Sequence, residues 1–237
     1  MCGITGFIIN KESSFNHHDI LKKMTNELVN RGPDDEGFWN NENNTQFLGH
    51  RRLTILELTK KGSQPMLSKN NRYIISYNGE IYNHKIIREK LNKEFGCKWE
   101  SNSDTETLLA TVEKYGIEKS LENFHGMFAF AIIDREAKKL YLARDANGEK
   151  PLYYGLINNN FIFSSGLNSL TYFPGFKKKI NTQALKYFLD FSYIPEPLSI
   201  FENIKKLEKS SFLEFDIEKK IIRTNKNKPK TNLKALN

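Results

Sequence analysis

Apolar and polar residues follow distinct periodic patterns in separate segments of this chain. The short apolar run at residues 2–10 predicts a buried strand. Residues 19–30 carry apolar side chains at near-helical spacing, and the turn-forming residues 31–37 end that helix. The pattern predicts further strands at residues 46–49, 52–56, 73–77, 126–134, 139–144 and 160–164, and further helices at 83–95, 104–115, 167–172 and 182–191.

The order of these elements favours an α+β fold. Strands occur in clusters separated by pairs of helices, unlike the strict strand–helix alternation of a parallel doubly wound sheet. Two more strands flank residues 216–219 as a hairpin, and beyond about residue 224 the composition turns to Asn, Lys and Thr, which predicts disorder. We therefore expect helices packed on antiparallel sheets, with a substantial core for a chain of 237 residues.

The net charge of +8 raises the question of nucleic-acid binding, but its distribution argues against that function. Residues 219–237 carry seven Lys or Arg residues and no acid, so the rest of the chain sums to about +1. A solvated terminus explains such a run. No apolar run reaches the ~18 residues of a membrane helix, and the first apolar stretch lacks a signal peptide's basic lead-in. We expect neither nucleic acid nor membrane as a partner.

Cys2 is the first candidate for chemistry. Methionine followed by a small residue is normally trimmed, which would give Cys2 a free α-amine with a pKa near ~7.7 to 8.0, beside a thiol near ~8.5. That amine can act as the base for its own thiol, directly or through one water. On position alone, a buried strand residue is the simpler interpretation. With Cys97 as the other cysteine, no disulfide framework is expected, and a reducing cytoplasm is the default.

Eight motifs, taken in order, resemble the class II glutamine amidotransferases, in particular their asparagine synthetase branch. They are MCGITGF (1–7), RGPDDEG (31–37), GHRRLTI (49–55), QPM (64–66), NGEIYN (78–83), SDTE (103–106), GMFAFA (126–131) and RDANGEKPLYYG (144–155). The resemblance runs from residue 1 to about 217 and implies an N-terminal-nucleophile hydrolase fold, a four-layer αββα sandwich of two antiparallel sheets flanked by helices. The second and eighth motifs favour this branch over the sugar-phosphate and phosphoribosyl amidotransferases.

The resemblance implies a catalytic set. Cys2 matches the nucleophile, with its free α-amine as base, and Asn78 and Gly79 match an oxyanion hole formed by a side-chain amide and a backbone N–H. One such donor contributes roughly 3 to 4 kcal/mol to catalysis. On the bare sequence, Asn-Gly is instead a strong hairpin-turn signal, and a turn could also present both donors.

The resemblance also implies a site for the amino-acid head of glutamine. Arg52 matches a bidentate clamp on the α-carboxylate, and Glu80 and Asp104 match the acids that receive the α-ammonium. Leu53 and Ile55 complete the implied substrate site. Without the resemblance, Arg52 is a surface arginine, and the two acids are solvated turn carboxylates or, for Asp104, a helix cap.

The remaining candidates carry no chemistry. His50 beside a strand is a structural residue, because the amine base makes a catalytic histidine unnecessary. The other histidines lack metal-ligand spacing, so no metal is expected. No dinucleotide or P-loop phosphate motif occurs, and no cofactor is expected in this chain.

We divide the chain into three parts on this basis. Residues 2–180 form the amidotransferase domain, residues 181–223 resemble the truncated start of an asparagine synthetase domain, and residues 224–237 form a basic disordered tail. The Ser-Gly-Gly-x-Asp-Ser pyrophosphate loop of the family is absent, so ATP and Mg are implied only for the missing synthetase domain. Departures at residues 209–211 and at Gly166 and Asn168 also weaken the case for a working partner domain.

The expected function is hydrolysis of L-glutamine, with the ammonia supplied for aspartate-to-asparagine amidation by a separate synthetase domain or subunit. Asparagine synthesis by this chain alone is not expected. A homodimer is left open. The alternative is a non-catalytic glutamine-binding or regulatory partner module.

Overall fold

Two antiparallel sheets, with helices on their outer sides, make up the fold. A computed structural model describes residues 1–9 and 15–227. The strands are β1 (Gly3–Ile8), β2 (Asp35–Asn40), β3 (Gln46–Arg52), β4 (Met66–Leu67), β5 (Tyr73–Ile81), β6 (Gly126–Asp134), β7 (Lys139–Arg144), β8 (Tyr153–Ile157), β9 (Asn160–Ser164), β10 (Ile204–Lys206), β11 (Ser211–Asp216) and β12 (Ile221–Lys226). The helices are α1 (His17–Asn26), α2 (His84–Phe95), α3 (Asp104–Asn123), α4 (Leu167–Leu170) and α5 (Thr182–Phe191).

The strand order places β1 and β5 inside facing sheets. One sheet has the order β10-β8-β9-β1-β3-β2, and the other has the order β12-β11-β7-β6-β5-β4. The pairings within each sheet are antiparallel. Because β1 lies between β3 and β9, Cys2 enters the fold at the middle of a sheet.

Three apolar clusters hold four layers together. Ile4 and Ile8 of β1 belong to the cluster between the two sheets. Phe7, on the opposite face of β1, belongs to the cluster that packs the first sheet against α1 and α4. Leu91 of α2 and Leu108 of α3 cover the outer face of the second sheet. The predicted four-layer αββα sandwich is therefore confirmed.

Strands β6, β7 and β9 and helix α5 have the bounds that the sequence pattern predicts. The strand predicted at 46–49 is part of β3, which continues to Arg52. The separate strand predicted at 52–56 is wrong, because a loop follows Arg52. The polar pair at residues 50–51 interrupts the apolar pattern, yet His50 is 1% exposed and its Nε2 lies 3.0 Å from the carbonyl oxygen of Tyr77. A buried polar side chain with a partner continues the strand.

Other segments also differ from the prediction. Residues 31–37 were expected to be only a turn, but β2 begins at Asp35, and its partly exposed edge position gives no clear apolar alternation. Strand β12 continues to Lys226 and pairs with β11, so disorder does not begin at residue 224. Residues 228–237 of the predicted tail lie outside the described residues.

Helix length and apolarity decide whether a segment could cross a bilayer. Within residues 1–9 and 15–227, no helix is both long and apolar enough to cross a membrane.

Candidate active site

The predicted site residues meet in one pocket. The pocket has a volume of about 190 Å³. Its lining includes all eight predicted residues: Cys2, Arg52, Leu53, Ile55, Asn78, Gly79, Glu80 and Asp104. They come from the segment before β1, the end of β3 and the loop after it, the middle of β5, and the first turn of α3. The fold thus gathers four distant segments at one end of the sandwich.

The Cys2 thiol is held against the loop that follows β3. The backbone N–H of Leu53 donates to Cys2 Sγ at 3.4 Å, and Sγ lies 3.6 Å from the carbonyl oxygen of Leu53. Burial raises the pKa of the Cys2 thiol, although the Leu53 N–H, the N-terminal amine and Arg52 act in the opposite direction. Arg31 Nε donates to the Cys2 carbonyl at 3.2 Å and fixes the backbone there. Because the thiol form is favoured, the thiol needs a base to become a nucleophile.

Met1 is present and forms part of the pocket wall. The ammonium of Lys150 donates to Met1 Sδ at 3.2 Å. Lys150 is only 5% exposed, and it forms no ion pair within the described ranges. Lys150 was not predicted as a site residue, because a lysine within a turn-rich motif gives no signal that it is buried. A buried ammonium therefore faces the residue that N-terminal processing would remove.

Arg52 offers an unpaired positive charge to the pocket. Its side chain is held by the following loop, because Nη1 donates to the carbonyl of Thr59 at 3.0 Å and Nη2 donates to the carbonyl of Glu57. Arg52 is 7% exposed and has no carboxylate partner among the residues described. It is therefore buried and not the surface arginine of the alternative interpretation. Its geometry suits a guanidinium that waits for an anionic group.

Asn78 and Gly79 lie in the middle of a strand, so the hairpin-turn interpretation is wrong. In β5 they pair with Ala129 and Phe128 of β6. A Cβ atom at Gly79 would lie 2.3 Å from the carbonyl oxygen of Met127, which explains the glycine by close cross-strand approach. Asn78 is 1% exposed, and its Nδ2 has no hydrogen-bond partner in the part of the chain that is described. A buried amide donor that lacks an acceptor is rare and calls for an explanation.

Asp104 is buried beside β5. Its Oδ2 accepts hydrogen bonds from the hydroxyl of Tyr77 at 2.6 Å and from the N–H of Ile81 at 2.9 Å. The helix-cap interpretation is wrong, because Ser103 is the N-cap and Asp104 is the first helical residue. Burial, and then Asp104, raise the pKa of Tyr77 well above its usual value, so Tyr77 remains a donor. Glu80 lines the pocket without an ion pair to any residue in the described ranges.

Supporting residues of the pocket have partners that the sequence alone does not reveal. Gln64 Oε1 accepts from the Tyr77 N–H at 2.7 Å, and Gln64 Nε2 donates to Thr105 Oγ1 at 3.3 Å, which ties β5 to α3 beneath the pocket. The carboxylate of Glu57 accepts from the N–H of Asn102 at 2.9 Å. The motif around Gln64 is recognisable, but only the fold shows these partners.

The surroundings of His50 suit a structural residue. Its ring bridges the two sheets, and burial lowers the pKa of His50 to about 4, so the imidazole is neutral. Because its partner is the Tyr77 carbonyl, Nε2 carries the hydrogen, and Nδ1 has no partner among the residues described. His50 is outside the pocket lining. In the described ranges, no cluster of three or more His, Cys, Asp or Glu side chains could hold a metal ion.

The chain matches a known protein family over a range that includes every residue of this pocket. The model of the glutamine amidotransferase domain family matches residues 1–226. The chain is 38% identical over 242 residues to a putative asparagine synthetase (glutamine-hydrolyzing) 2 of Methanocaldococcus jannaschii, covering 94% of this chain and 45% of that protein. It is 37% identical over 214 residues to asparagine synthetase (glutamine-hydrolyzing) 1 of Bacillus subtilis, covering 89% and 33%. The chain therefore spans less than half the length of these relatives.

Structural comparison supports the fold. The solved structure of a glutamine phosphoribosylpyrophosphate amidotransferase from B. subtilis superposes with a TM-score of 0.66 at 18% identity, covering 95% of this chain and 49% of that one. At this identity the likeness concerns the fold alone. It agrees with two stacked sheets between layers of helices.

Proposed function

Because this chain belongs to the glutamine amidotransferase domain family, we propose that it hydrolyses the side-chain amide of L-glutamine to glutamate and ammonia. The observation that carries the proposal is one pocket that holds a thiol, an unpaired guanidinium and an unpaired buried amide donor, on Cys2, Arg52 and Asn78. These groups suit an amide substrate with an amino-acid head. The relatives' names, which describe glutamine-hydrolysing enzymes, agree with this substrate.

The nucleophile in this proposal is the Cys2 thiolate, formed once Met1 has been removed. The freed α-amine takes the proton of the thiol, and Sγ attacks the amide carbon of glutamine. The proton then passes to the departing nitrogen, which leaves as ammonia. Water hydrolyses the glutamyl thioester, giving glutamate and restoring the thiol. The raised pKa of the thiol makes the amine base necessary.

The oxyanion hole consists of Asn78 Nδ2 and the Gly79 N–H. The oxygen of the tetrahedral intermediate would supply the acceptor that Asn78 Nδ2 lacks within the described ranges. A donor fixed in place before the reaction stabilises developing charge by roughly 3 to 4 kcal/mol, equivalent to ~10² to 10³ in rate.

Charged side chains bind the amino-acid head of the substrate in this proposal. Arg52 binds the α-carboxylate, and Asp104 and Glu80 receive the α-ammonium. Leu53 and Ile55 contact the substrate from the loop side of the pocket. The interaction of Asp104 with Tyr77 and Ile81 orients its carboxyl group and supports this assignment.

We further propose that the ammonia serves an asparagine-synthesising partner. The names of the longer relatives support this assignment. A separate synthetase domain or subunit, which would bring ATP and Mg, would amidate aspartate, and this chain would need no cofactor of its own. The proposal also includes that the protein forms a homodimer and is located in the cytoplasm. Both cysteines are free thiols in the structure, as a reducing compartment would allow.

The test is glutamate release from L-glutamine by protein whose intact mass shows that Met1 is absent. Cys2→Ala should abolish turnover, because no other group can form the thioester. Cys97→Ala is the matched control and should retain full activity, since Cys97 lies outside this pocket. If the processed wild-type chain binds L-glutamine without releasing glutamate, the alternative of a non-catalytic module replaces this proposal.

A further inference from the structure

Glu57 joins the loop after β3 to the segment that precedes α3. Its Oε2 accepts the N–H of Asn102 at 2.9 Å, and its Oε1 accepts the N–H and the hydroxyl of Thr59 at 3.0 and 2.7 Å. These hydrogen bonds lower the pKa of Glu57 to about 2, so the side chain is an anion at neutral pH. The carboxylate of Glu57 therefore forms hydrogen bonds within its own loop, to Thr59, and to the neighbouring segment before α3, at Asn102.

The backbone of Glu57 contacts Arg52, at the other end of the pocket. Its carbonyl accepts a hydrogen bond from Arg52 Nη2. Gly62 packs against both residues, because a Cβ atom there would lie 2.4 Å from Arg52 Nη2 and 3.0 Å from Glu57 Cγ. Position 62 therefore has no space for a side chain beside Arg52 and Glu57. Arg52 and Glu57 therefore form one unit.

The opposite end of this connection leads to Asp104. Asn102, whose N–H is bound by Glu57, lies two residues before Asp104, with the N-cap Ser103 between them. Glu57 is thus bonded to Arg52 through its carbonyl and to the entrance of α3 through its carboxylate. Arg52 and Asp104 are the groups assigned above to the α-carboxylate and the α-ammonium of the substrate.

We propose that Glu57 is a positioning residue that sets the separation of Arg52 and Asp104, and so makes the pocket selective for the α-amino-acid head of glutamine. This inference rests on the proposed function. Glu57 supplies no group to the reacting amide. Its loss should weaken the binding of the head while leaving the chemistry at Cys2 intact.

The test measures L-glutamine affinity by calorimetry in processed Cys2→Ala protein, where no turnover occurs. Adding Glu57→Ala should raise Kd about tenfold, as expected when hydrogen bonds to a charged group are lost. Glu57→Gln keeps one acceptor oxygen and should recover part of the affinity. Glu57→Asp keeps the charge but is shorter by one methylene, so it should still bind several-fold more weakly. Glu89→Ala, an exposed acid on α2, is the control and should leave Kd unchanged.

A second readout uses the active chain. Glu57→Ala should raise KM for L-glutamine with kcat within about twofold of wild type, since the lost interaction acts on binding. The rate at which iodoacetamide, an amide without an amino-acid head, alkylates Cys2 should stay the same. A Kd unchanged in Glu57→Ala, or fully restored in Glu57→Asp, would overturn the positioning role alone. No glutamine binding by the parent Cys2→Ala protein would overturn the proposed function as well.

Discussion

His50 illustrates how one residue couples the fold to pH. It is 1% exposed, and its pKa is lowered to about 4 from an ordinary 6.5. A depressed pKa in the folded state means that the neutral form is the one that folding favours. The stabilisation is complete above pH 6.5 and is lost as the pH falls through this range towards 4.

We therefore expect the free energy of unfolding to fall by about 2 kcal/mol between pH 7 and pH 5 through this residue. Urea unfolding at the two pH values measures it, with His50→Gln as the variant. In His50→Gln this part of the pH dependence should disappear, whereas His125→Gln, at an exposed position, should retain it. An equal slope in all three proteins would mean that other groups cause the acid sensitivity.

At the residue scale, motifs predicted which side chains form the pocket, but not how they are held. Cys2, Arg52 and Asp104 lie in distinctive short segments, so their types and order were enough to place them together. Glu57 lies outside the eight motifs, and Lys150 lies inside one that gives no sign of its burial. Their importance comes from partners that are far away in sequence, such as Asn102 for Glu57, and only tertiary structure creates those contacts.

At the element scale, β5 is the strand that carries the two proposed oxyanion donors. Close packing of β5 against β6 leaves no space for a side chain at Gly79, because a Cβ atom would also lie 2.7 Å from the Cα of Phe128. Two neighbouring positions thus have different requirements: the proposed chemistry uses the amide of Asn78, and packing leaves no space for a side chain at Gly79.

Gly79→Ala should lower the free energy of unfolding by about 1–3 kcal/mol, as overpacking usually does. It should also lower kcat, because β5 must move away from β6 and carries both donors with it. Thermal unfolding and steady-state kinetics measure the two effects. At the control position, Gly166→Ala meets only the tip of the Leu28 side chain and should be much milder. Equal effects at both positions would contradict the packing argument.

Element prediction succeeded where burial is uniform and failed where it is mixed. Strand β6 is almost wholly apolar and central, so its bounds follow from the sequence. Strand β2 lies at a sheet edge with exposed and half-exposed side chains, and its sequence DEGFWN does not alternate apolar and polar residues. The Asn-Gly pair in β5 carries a strong local turn preference, which cross-strand packing overrides.

At the scale of the whole molecule, the segment after residue 180 takes part in both sheets. Strand β10 pairs with β8, and β11 pairs with β7. The ring of Phe215 stacks on Phe161 of the facing sheet with centroids 4.5 Å apart. The assignment of residues 181–223 to a separate synthetase lead-in remains a prediction, and these pairings give it a direct test.

A chain ending at residue 180 should fail to unfold cooperatively. It would lose the buried side chains of Leu207, Leu213 and Phe215, each worth roughly 1.5–3 kcal/mol, against a total stability of about 5–15 kcal/mol for a typical domain. Circular dichroism during heating measures the outcome. A chain ending at residue 227 is the control and should melt cooperatively. A cooperative transition in the shorter chain would support an independent domain that ends near residue 180.

The contact between Met1 and Lys150 lies at the residue whose removal the proposed chemistry requires. The thioether of Met1 forms part of the pocket wall and accepts a hydrogen bond from the buried ammonium of Lys150. A chain that retains Met1 lacks the free amine of Cys2 that the proposed chemistry uses. Under that proposal, the protein becomes active only after an aminopeptidase removes Met1. The specific activity of a preparation would then report the fraction of chains from which Met1 has been removed.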